Sequence, residues 1–154
     1  METRKVIYKE TQLFWISIIP AILILTFTIF AYLYKFGTRP IPLFATLIII
    51  FFFLTIILLT YKMTITIDDK YINITFGIGI IRKKIELSEI NHQEIKKATI
   101  PWYYGVGIKF GNNVSIYNTR SGSGIELTSY SRKYLISTKN YQQIKNIITI
   151  KTKT

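Results

Sequence analysis

The sequence predicts a two-part fold, in which a membrane-spanning α-hairpin precedes a small all-β or α+β soluble domain closed by a C-terminal helix. Three observations predict it. Two apolar runs without Lys, Arg, His, Asp or Glu lie within the first 61 residues, and a loop of only eight residues separates them. From Lys62 onward the continuous apolar pattern gives way to alternation, which is typical of half-buried strands.

The second apolar run, residues 43 to 61, is the stronger membrane-span signal. It contains nineteen residues with no charge, no Gly and no Pro, and fourteen of them are Leu, Ile or Phe. A helix of that length extends roughly 28 Å, close to the thickness of a hydrocarbon core of about 30 Å. Such a composition favours membrane insertion by several kcal/mol, on the order of −0.3 to −0.6 kcal/mol for each of these residues near the helix centre.

The first apolar run, residues 13 to 34, follows a polar and basic N-terminal segment, residues 1 to 12. A cleaved signal peptide is the alternative, but its apolar region is usually about 7 to 15 residues long and this one has twenty-two. We therefore expect a retained span, which Pro20 can bend. Since neither span carries a charged residue, an anchor is favoured over a proton or ion path.

The loop between the spans, residues 35 to 42, is too short to recross a bilayer, so both ends of the chain are expected on one side. Three Lys or Arg precede the first span, two lie in the loop, and three lie in the twenty-one residues after the second span. By the positive-inside rule this bias favours cytoplasmic termini.

The soluble domain is expected over residues 62 to 150. Alternating apolar residues predict a β-hairpin over residues 63 to 76, with Asp68 and Asp69 in its turn for backbone reasons. Further strands are predicted near 80 to 87, 90 to 100, 106 to 110, 114 to 116, 125 to 127 and 134 to 136, with a flexible turn at 121 to 124. This spacing predicts a small closed sheet or barrel.

A helix over residues 140 to 149 is predicted by a change to helical periodicity, and residues 151 to 154 form a solvated tail. Its apolar face, which should cover one end of the sheet, consists of Tyr141, Ile144, Ile147 and Ile148. Asn140 or Thr138 can cap its first turn.

Glycines, aromatics and alternating apolar residues in the second half of the chain carry a family likeness: Trp102, Gly105, Val106, Gly107, Ile108, Tyr117, Asn118, the segment GIEL at 124 to 127, and Tyr134 to Thr138. With about seven antiparallel strands and one C-terminal helix, the chain resembles small bacterial membrane proteins with two spans and a bacterial pleckstrin-homology-like (PH-like) domain. The resemblance implies a non-catalytic module that binds proteins or lipids in the bacterial cytoplasmic (inner) membrane.

Composition gives no support for catalysis. The chain has no Cys, and its single His92 has no second His nearby for a zinc site. The acids are dispersed, and alternation points Glu86 and Glu126 outward, so no catalytic residue, metal site or cofactor is expected. The net charge of +12 favours anionic surfaces, which for a membrane-held protein means lipid headgroups rather than nucleic acid.

Two basic clusters are candidate binding residues for anionic lipid or a partner: Arg82, Lys83 and Lys84 on one predicted strand, and Lys96 and Lys97 on the next. If those strands pair, the clusters form one patch. Solvated strand faces and edge protection by lysine remain the alternative. A sparser group, Arg120, Arg132 and Lys133, is open to the same two interpretations.

The segment PWYYG at 101 to 105 carries the candidate interface aromatics Trp102, Tyr103 and Tyr104. Three consecutive aromatics cannot all face one core, so we expect at least one to be exposed or to pack on the bilayer interface or a partner. Packing within the domain is the alternative.

These patterns predict a non-enzymatic, membrane-anchored interaction module, an accessory or scaffold subunit of a membrane protein assembly. The alternative is a membrane-surface sensor that binds anionic lipid through its basic clusters. Membrane lipids and another membrane protein are the expected partners. Because Lys62 follows the second span without a linker, the domain should lie close to the headgroups.

Overall fold

The computed structural model describes residues 6–151, and within that range two long apolar helices are followed by β-sheets and a C-terminal helix, as predicted. The helices are α1 (Trp15–Leu33), α2 (Leu43–Thr60) and α3 (Tyr141–Lys151). The strands are β1 (Tyr8–Leu13), β2 (Lys62–Ile67), β3 (Tyr71–Phe76), β4 (Ile81–Glu86), β5 (Lys96–Ile100), β6 (Gly107–Gly111), β7 (Val114–Asn118), β8 (Gly122–Ser129) and β9 (Arg132–Ser137).

Helices α1 and α2 are long and apolar enough to cross a membrane, with mean hydropathies of 2.4 and 2.9. Helix α1 continues through Pro20. The buried residues of the hairpin are small, and small residues let two helix backbones approach closely. They are Ala21, Thr28 and Ala31 on α1 and Thr46 on α2. Most of the remaining apolar side chains are exposed and the others are half-buried, as expected of helices surrounded by lipid.

The N-terminal segment contains a strand that the sequence did not predict. Residues 8 to 13 form β1, which pairs antiparallel with β2, from Tyr8 opposite Ile67 to Leu13 opposite Lys62. Helix α1 begins two residues after β1 ends, and β2 begins two residues after α2 ends. Both helices therefore leave one edge of the β domain, which we call the helix-side edge.

Two sheets make up the β domain, and they are not closed into the predicted barrel. One sheet has the order β1-β2-β3-β4 and the other β5-β8-β9-β7-β6, and α3 packs on the core between them. The basic residues of β4, an edge strand, oppose closure, since charged edges disfavour further pairing. The expectation of antiparallel strands throughout is also wrong, because β7 and β9 pair parallel.

Several strand boundaries differ from the prediction. The strand expected over residues 90 to 100 is shorter, because 3₁₀ turns at Leu87–Glu89 and His92–Glu94 precede β5. The flexible turn expected at 121 to 124 belongs mostly to β8, where Gly122 pairs with Ile100. The interpretation of Asp68 is confirmed: its carboxylate accepts hydrogen bonds from the backbone N–H groups of Lys70 and Tyr71, at 2.9 and 2.7 Å.

The C-terminal helix is confirmed, and it packs by the predicted face. Ile144 and Ile148 are buried in the core, and Tyr141 and Ile147 pack against it. The helix continues to Lys151, whose Nζ lies 2.6 Å from a carboxylate oxygen of Asp69.

Candidate functional site

The junction between the helices and the β domain has no free linker. The backbone N–H of Phe14 donates to the carbonyl of Tyr61 at 2.9 Å, and the hydroxyls of Ser17 and Thr60 lie 3.2 Å apart. The pairing of β1 with β2 therefore continues to the residues that flank α1 and α2, and no linker separates the helices from the β domain.

Gln12 of β1 joins the two sheets at the helix-side edge. Its Nε2 donates to the Ser137 carbonyl at 2.7 Å, and its Oε1 accepts from the hydroxyls of Thr119 and Ser137 at 2.8 and 3.1 Å. Ser137 and Thr119 are buried, so Gln12 satisfies polar groups that water does not reach.

Glu10 makes a second set of bonds from the same strand. Its carboxylate accepts from the hydroxyls of Thr138 and Tyr8 at 2.5 and 2.8 Å and from the Lys139 backbone N–H at 3.2 Å. Burial raises the pKa of Tyr8 to about 12, so its phenol stays protonated and remains a donor to Glu10. Together, Glu10 and Gln12 bind the chain segment before α1 to the end of β7, the end of β9 and the residues that follow β9.

The turn between β3 and β4, residues 77 to 80, lies against the last turn of α2. The Ile78 backbone N–H donates to the Leu58 carbonyl at 3.1 Å, and the Gly77 N–H donates to the Lys62 carbonyl at 2.8 Å. A Cβ at Gly77 would come within 2.1 Å of the Leu58 oxygen, so only glycine permits this approach. The turn exposes the side chains of Ile78 and Ile80, at 57% and 68%.

The three candidate aromatics also lie at the helix-side edge. They form a 3₁₀ turn, Trp102–Tyr104, which Asn118 anchors by donating from Nδ2 to the Gly105 carbonyl at 2.7 Å. All three side chains are exposed, in agreement with the expectation that at least one would be. Tyr103 packs edge to face on each neighbour, so their mutual contacts leave most of the aromatic surface uncovered.

Arg120 lies beside the start of α1 in a shallow pocket with Leu13, Trp15 and Lys139. Its guanidinium atoms Nε and Nη2 are buried, and neither has a hydrogen-bond partner among residues 6–151. A buried charged donor without an acceptor is costly, so an anion at this position would be stabilising. Glu10 also lines the pocket, but the bonds from Thr138 and Lys139 engage both of its oxygens.

An open cleft of about 160 Å³ separates the edge strands β4 and β6, at the position where a barrel would close. Its walls are apolar: Ile74, Phe76, Ile81, Ile108 and Phe110. Phe110 is 70% exposed and packs edge to face on Tyr117. Burial raises the pKa of Tyr117, so its phenol is neutral in the floor of the cleft at physiological pH.

Three cations line this apolar cleft: Arg82, Lys83 and Arg132. The Lys83 ammonium lies 5.6 Å from the centre of the Tyr134 ring, within the range of a cation–π contact. Neither Arg82 nor Arg132 forms an ion pair with an acid in the part of the chain that the structure describes. The cleft is thus an apolar groove with uncompensated positive charge.

The two predicted basic clusters, on β4 and β5, are not joined into one patch by pairing of their strands. Strands β4 and β5 belong to different sheets and do not pair. Arg82 and Lys83 line the cleft, whereas Lys84 extends over the Tyr71 ring at 5.8 Å. Lys96 and Lys97 are exposed on the edge strand β5.

Three features could not be predicted from the sequence: the exposure of Phe110 in the cleft, the burial of two Arg120 nitrogens, and the contact of the turn at 77 to 80 with α2. Phe110 and Ile108 have the alternation of an ordinary strand, so their exposure depends on β6 being an edge. The apolar residues alternating with glycine in GIGI, residues 77 to 80, were a usable signal, because isoleucine is not among the residues that turns favour.

No three residues among His, Cys, Asp and Glu converge on a metal-sized site within residues 6–151. Comparisons with protein-family models, curated proteins and solved structures gave no match, so the functional assignment rests on the geometry of the chain.

Proposed function

We propose that this chain is a non-enzymatic, membrane-anchored interaction module that serves as an accessory or scaffold subunit of a membrane protein assembly. In this proposal α1 and α2 span the bacterial inner membrane with both termini in the cytoplasm. The cationic, apolar-walled cleft between β4 and β6 carries the proposal, because it is an open binding groove between two sheet edges.

The direction of the cleft supports a neighbouring membrane protein as the partner. Strand β4 begins beside the turn that contacts α2, so Phe76 and Ile81 lie at the helix-side end of the cleft. Arg132 begins β9, whose other end bonds to Gln12, and therefore lies at the far end. A segment emerging from the bilayer next to α2 would enter the cleft beside Phe76, Ile81 and the adjacent Arg82, and would reach Arg132 farther from the membrane.

The chemistry of the cleft selects an extended segment that carries both apolar and acidic side chains. Strands β4 and β6 are edge strands whose outer backbone groups are available for strand addition. The apolar walls can contact every second side chain of an added strand, and Arg82 and Arg132 can pair with its carboxylates.

The PH-like assignment is part of this proposal. It is supported by strands that enclose one core with a C-terminal helix packed on it. The parallel pair β7–β9 and the open cleft depart from the regular antiparallel arrangement.

Charge reversal at Arg82 tests the proposal. We expect the full chain, purified in mild detergent, to retain a stoichiometric membrane protein partner and the Arg82→Glu variant to lose it. A repulsive charge in the cleft should weaken binding by about 2 kcal/mol or more, roughly thirtyfold. Lys97→Glu is the matched control, because it makes the same charge change on β5, outside the lining of the cleft.

Repeated purification of the chain alone would contradict the proposal. Equal partner loss in Arg82→Glu and Lys97→Glu would show that net charge, and not the cleft, governs the association. A photoreactive side chain at the exposed position Phe110 should crosslink to the same partner and identify the bound segment.

Binding of anionic lipid is a second candidate function, and the unpaired Nε and Nη2 atoms of the Arg120 guanidinium specifically favour it. The pocket opens beside Trp15 at the start of α1, where a lipid phosphate would lie if α1 spans the bilayer. An Arg–phosphate contact there would satisfy donors that the protein leaves unpaired.

Lipid-dependent stability of the full chain in nanodiscs tests this second function. Anionic phosphatidylglycerol should raise the unfolding temperature relative to phosphatidylcholine alone, because a ligand that binds only the folded state stabilises it. Arg120→Gln should remove most of that increase. An unchanged increase in Arg120→Gln would exclude the pocket as the lipid site.

Replacement of Lys83, Lys84, Lys96 and Lys97 together by neutral residues tests instead whether the predicted basic clusters bind the lipid.

A further inference from the structure

We infer that the β3–β4 turn, residues 77 to 80, is a membrane-penetrating element that inserts Ile78 and Ile80 into the bilayer beside the end of α2. The inference uses the proposal that α2 spans the membrane but is independent of the partner cleft and of the Arg120 pocket. Its ligand is the apolar boundary of the lipid bilayer itself.

The depth of the turn follows from its backbone contacts. The Ile78 N–H donates to the carbonyl of Leu58, which belongs to the last turn of α2. Helix α2 has eighteen residues, about 27 Å of helix against a hydrocarbon core of about 30 Å, so its last turn lies at the boundary of that core. The turn at 77 to 80 is held at the same depth.

The side chains of the turn match this depth. Ile78 and Ile80 are two of the more exposed apolar residues of the β domain, at 57% and 68%, and Ile81 follows at 37%. No charged residue lies within residues 77 to 81. Exposure of consecutive apolar side chains to water is unfavourable, whereas the adjoining acyl chains would cover them.

Two glycines allow the turn to make this contact. The missing side chain of Gly77 lets the turn reach the Leu58 and Leu59 backbone, and Gly79 has a positive φ of +93° that completes the reversal. The turn cannot withdraw from the helix end without breaking the Ile78–Leu58 hydrogen bond. Penetration at this point would orient the β domain against the membrane plane.

Site-directed fluorescence measures this depth directly, because the chain contains no cysteine. The environment-sensitive probe NBD would be attached to Ile78→Cys and, separately, to Ile80→Cys in the full chain in phosphatidylcholine nanodiscs. Tyr130→Cys is the matched control, since Tyr130 is 80% exposed in the β8–β9 turn at the opposite edge of the domain.

Insertion predicts blue-shifted emission at positions 78 and 80, with quenching by acyl-chain spin-labelled lipid several-fold stronger than quenching by aqueous iodide. Position 130 should show the reverse preference. Iodide quenching at 78 and 80 equal to that at 130 would overturn the inference. Arg82→Glu and Arg120→Gln should leave the probe signals unchanged, so failure of either proposed function is distinguishable from failure of penetration.

Discussion

Gly77→Ala is expected to be the most damaging small substitution in the β domain. Its Cβ would lie 2.1 Å from the Leu58 oxygen and 2.4 Å from the Leu59 carbonyl carbon, both of which are backbone atoms that cannot rotate away. Separating the turn from α2 would cost about 3 kcal/mol, combining overpacking with backbone strain. For a domain of this size we expect the unfolding temperature in detergent to fall by about 10 °C or more, measured by near-UV circular dichroism.

Gly79→Ala is the matched control for this prediction. Gly79 has φ of +93°, farther from the left-handed helical region than the +53° of Gly77, and nothing lies within 4 Å of its added Cβ. It therefore carries at least as much backbone strain and no clash. Equal destabilisation of the two variants would contradict close packing of the turn against α2.

Replacement of Gln12 by methionine is the second substitution with a large expected effect. Methionine keeps the side-chain length but leaves the Ser137 carbonyl and the Thr119 hydroxyl without Gln12 as a partner in a buried setting. Each buried group left unsatisfied costs about 1 to 3 kcal/mol, so we expect a loss of roughly 3 kcal/mol in the free energy of unfolding.

Lys9→Ala controls for changes to β1 that leave the network intact, because the Lys9 side chain points outward on the same strand. Its unfolding temperature should stay close to that of the unchanged chain. If Gln12→Met behaves like Lys9→Ala, β1 does not join the two sheets in the way that its hydrogen bonds indicate.

The helices and the first hairpin were predictable because their signals are local. Residues 43 to 61 have a composition that specifies a helix long enough to span a membrane, and the Asp68 turn follows from short-range hydrogen bonding. The face of α3 could be read from the spacing of Ile144 and Ile148, both of which the structure buries.

The missed features depend on contacts between distant residues. Strand β1 consists of mostly polar residues, and its strand character comes from pairing with β2, whose residues lie 49 to 59 positions later along the chain. The placement of β4 and β5 in different sheets could not be predicted, because the residues around Lys84 and Lys96 do not specify which strands become neighbours. The exposed Phe110 likewise becomes distinctive only when β6 is known to be an edge strand.

In the proposed topology, α1 and α2 form a transmembrane hairpin with the β domain on the cytoplasmic side. Labelling with a membrane-impermeant maleimide tests it most directly, using Thr38→Cys in the loop between the helices and Tyr130→Cys in the β domain. In intact cells the thiol introduced at position 38 should react from outside while the thiol introduced at position 130 stays protected, and in inverted vesicles the reactivities should be exchanged. Equal labelling of both positions from one side would contradict the transmembrane hairpin.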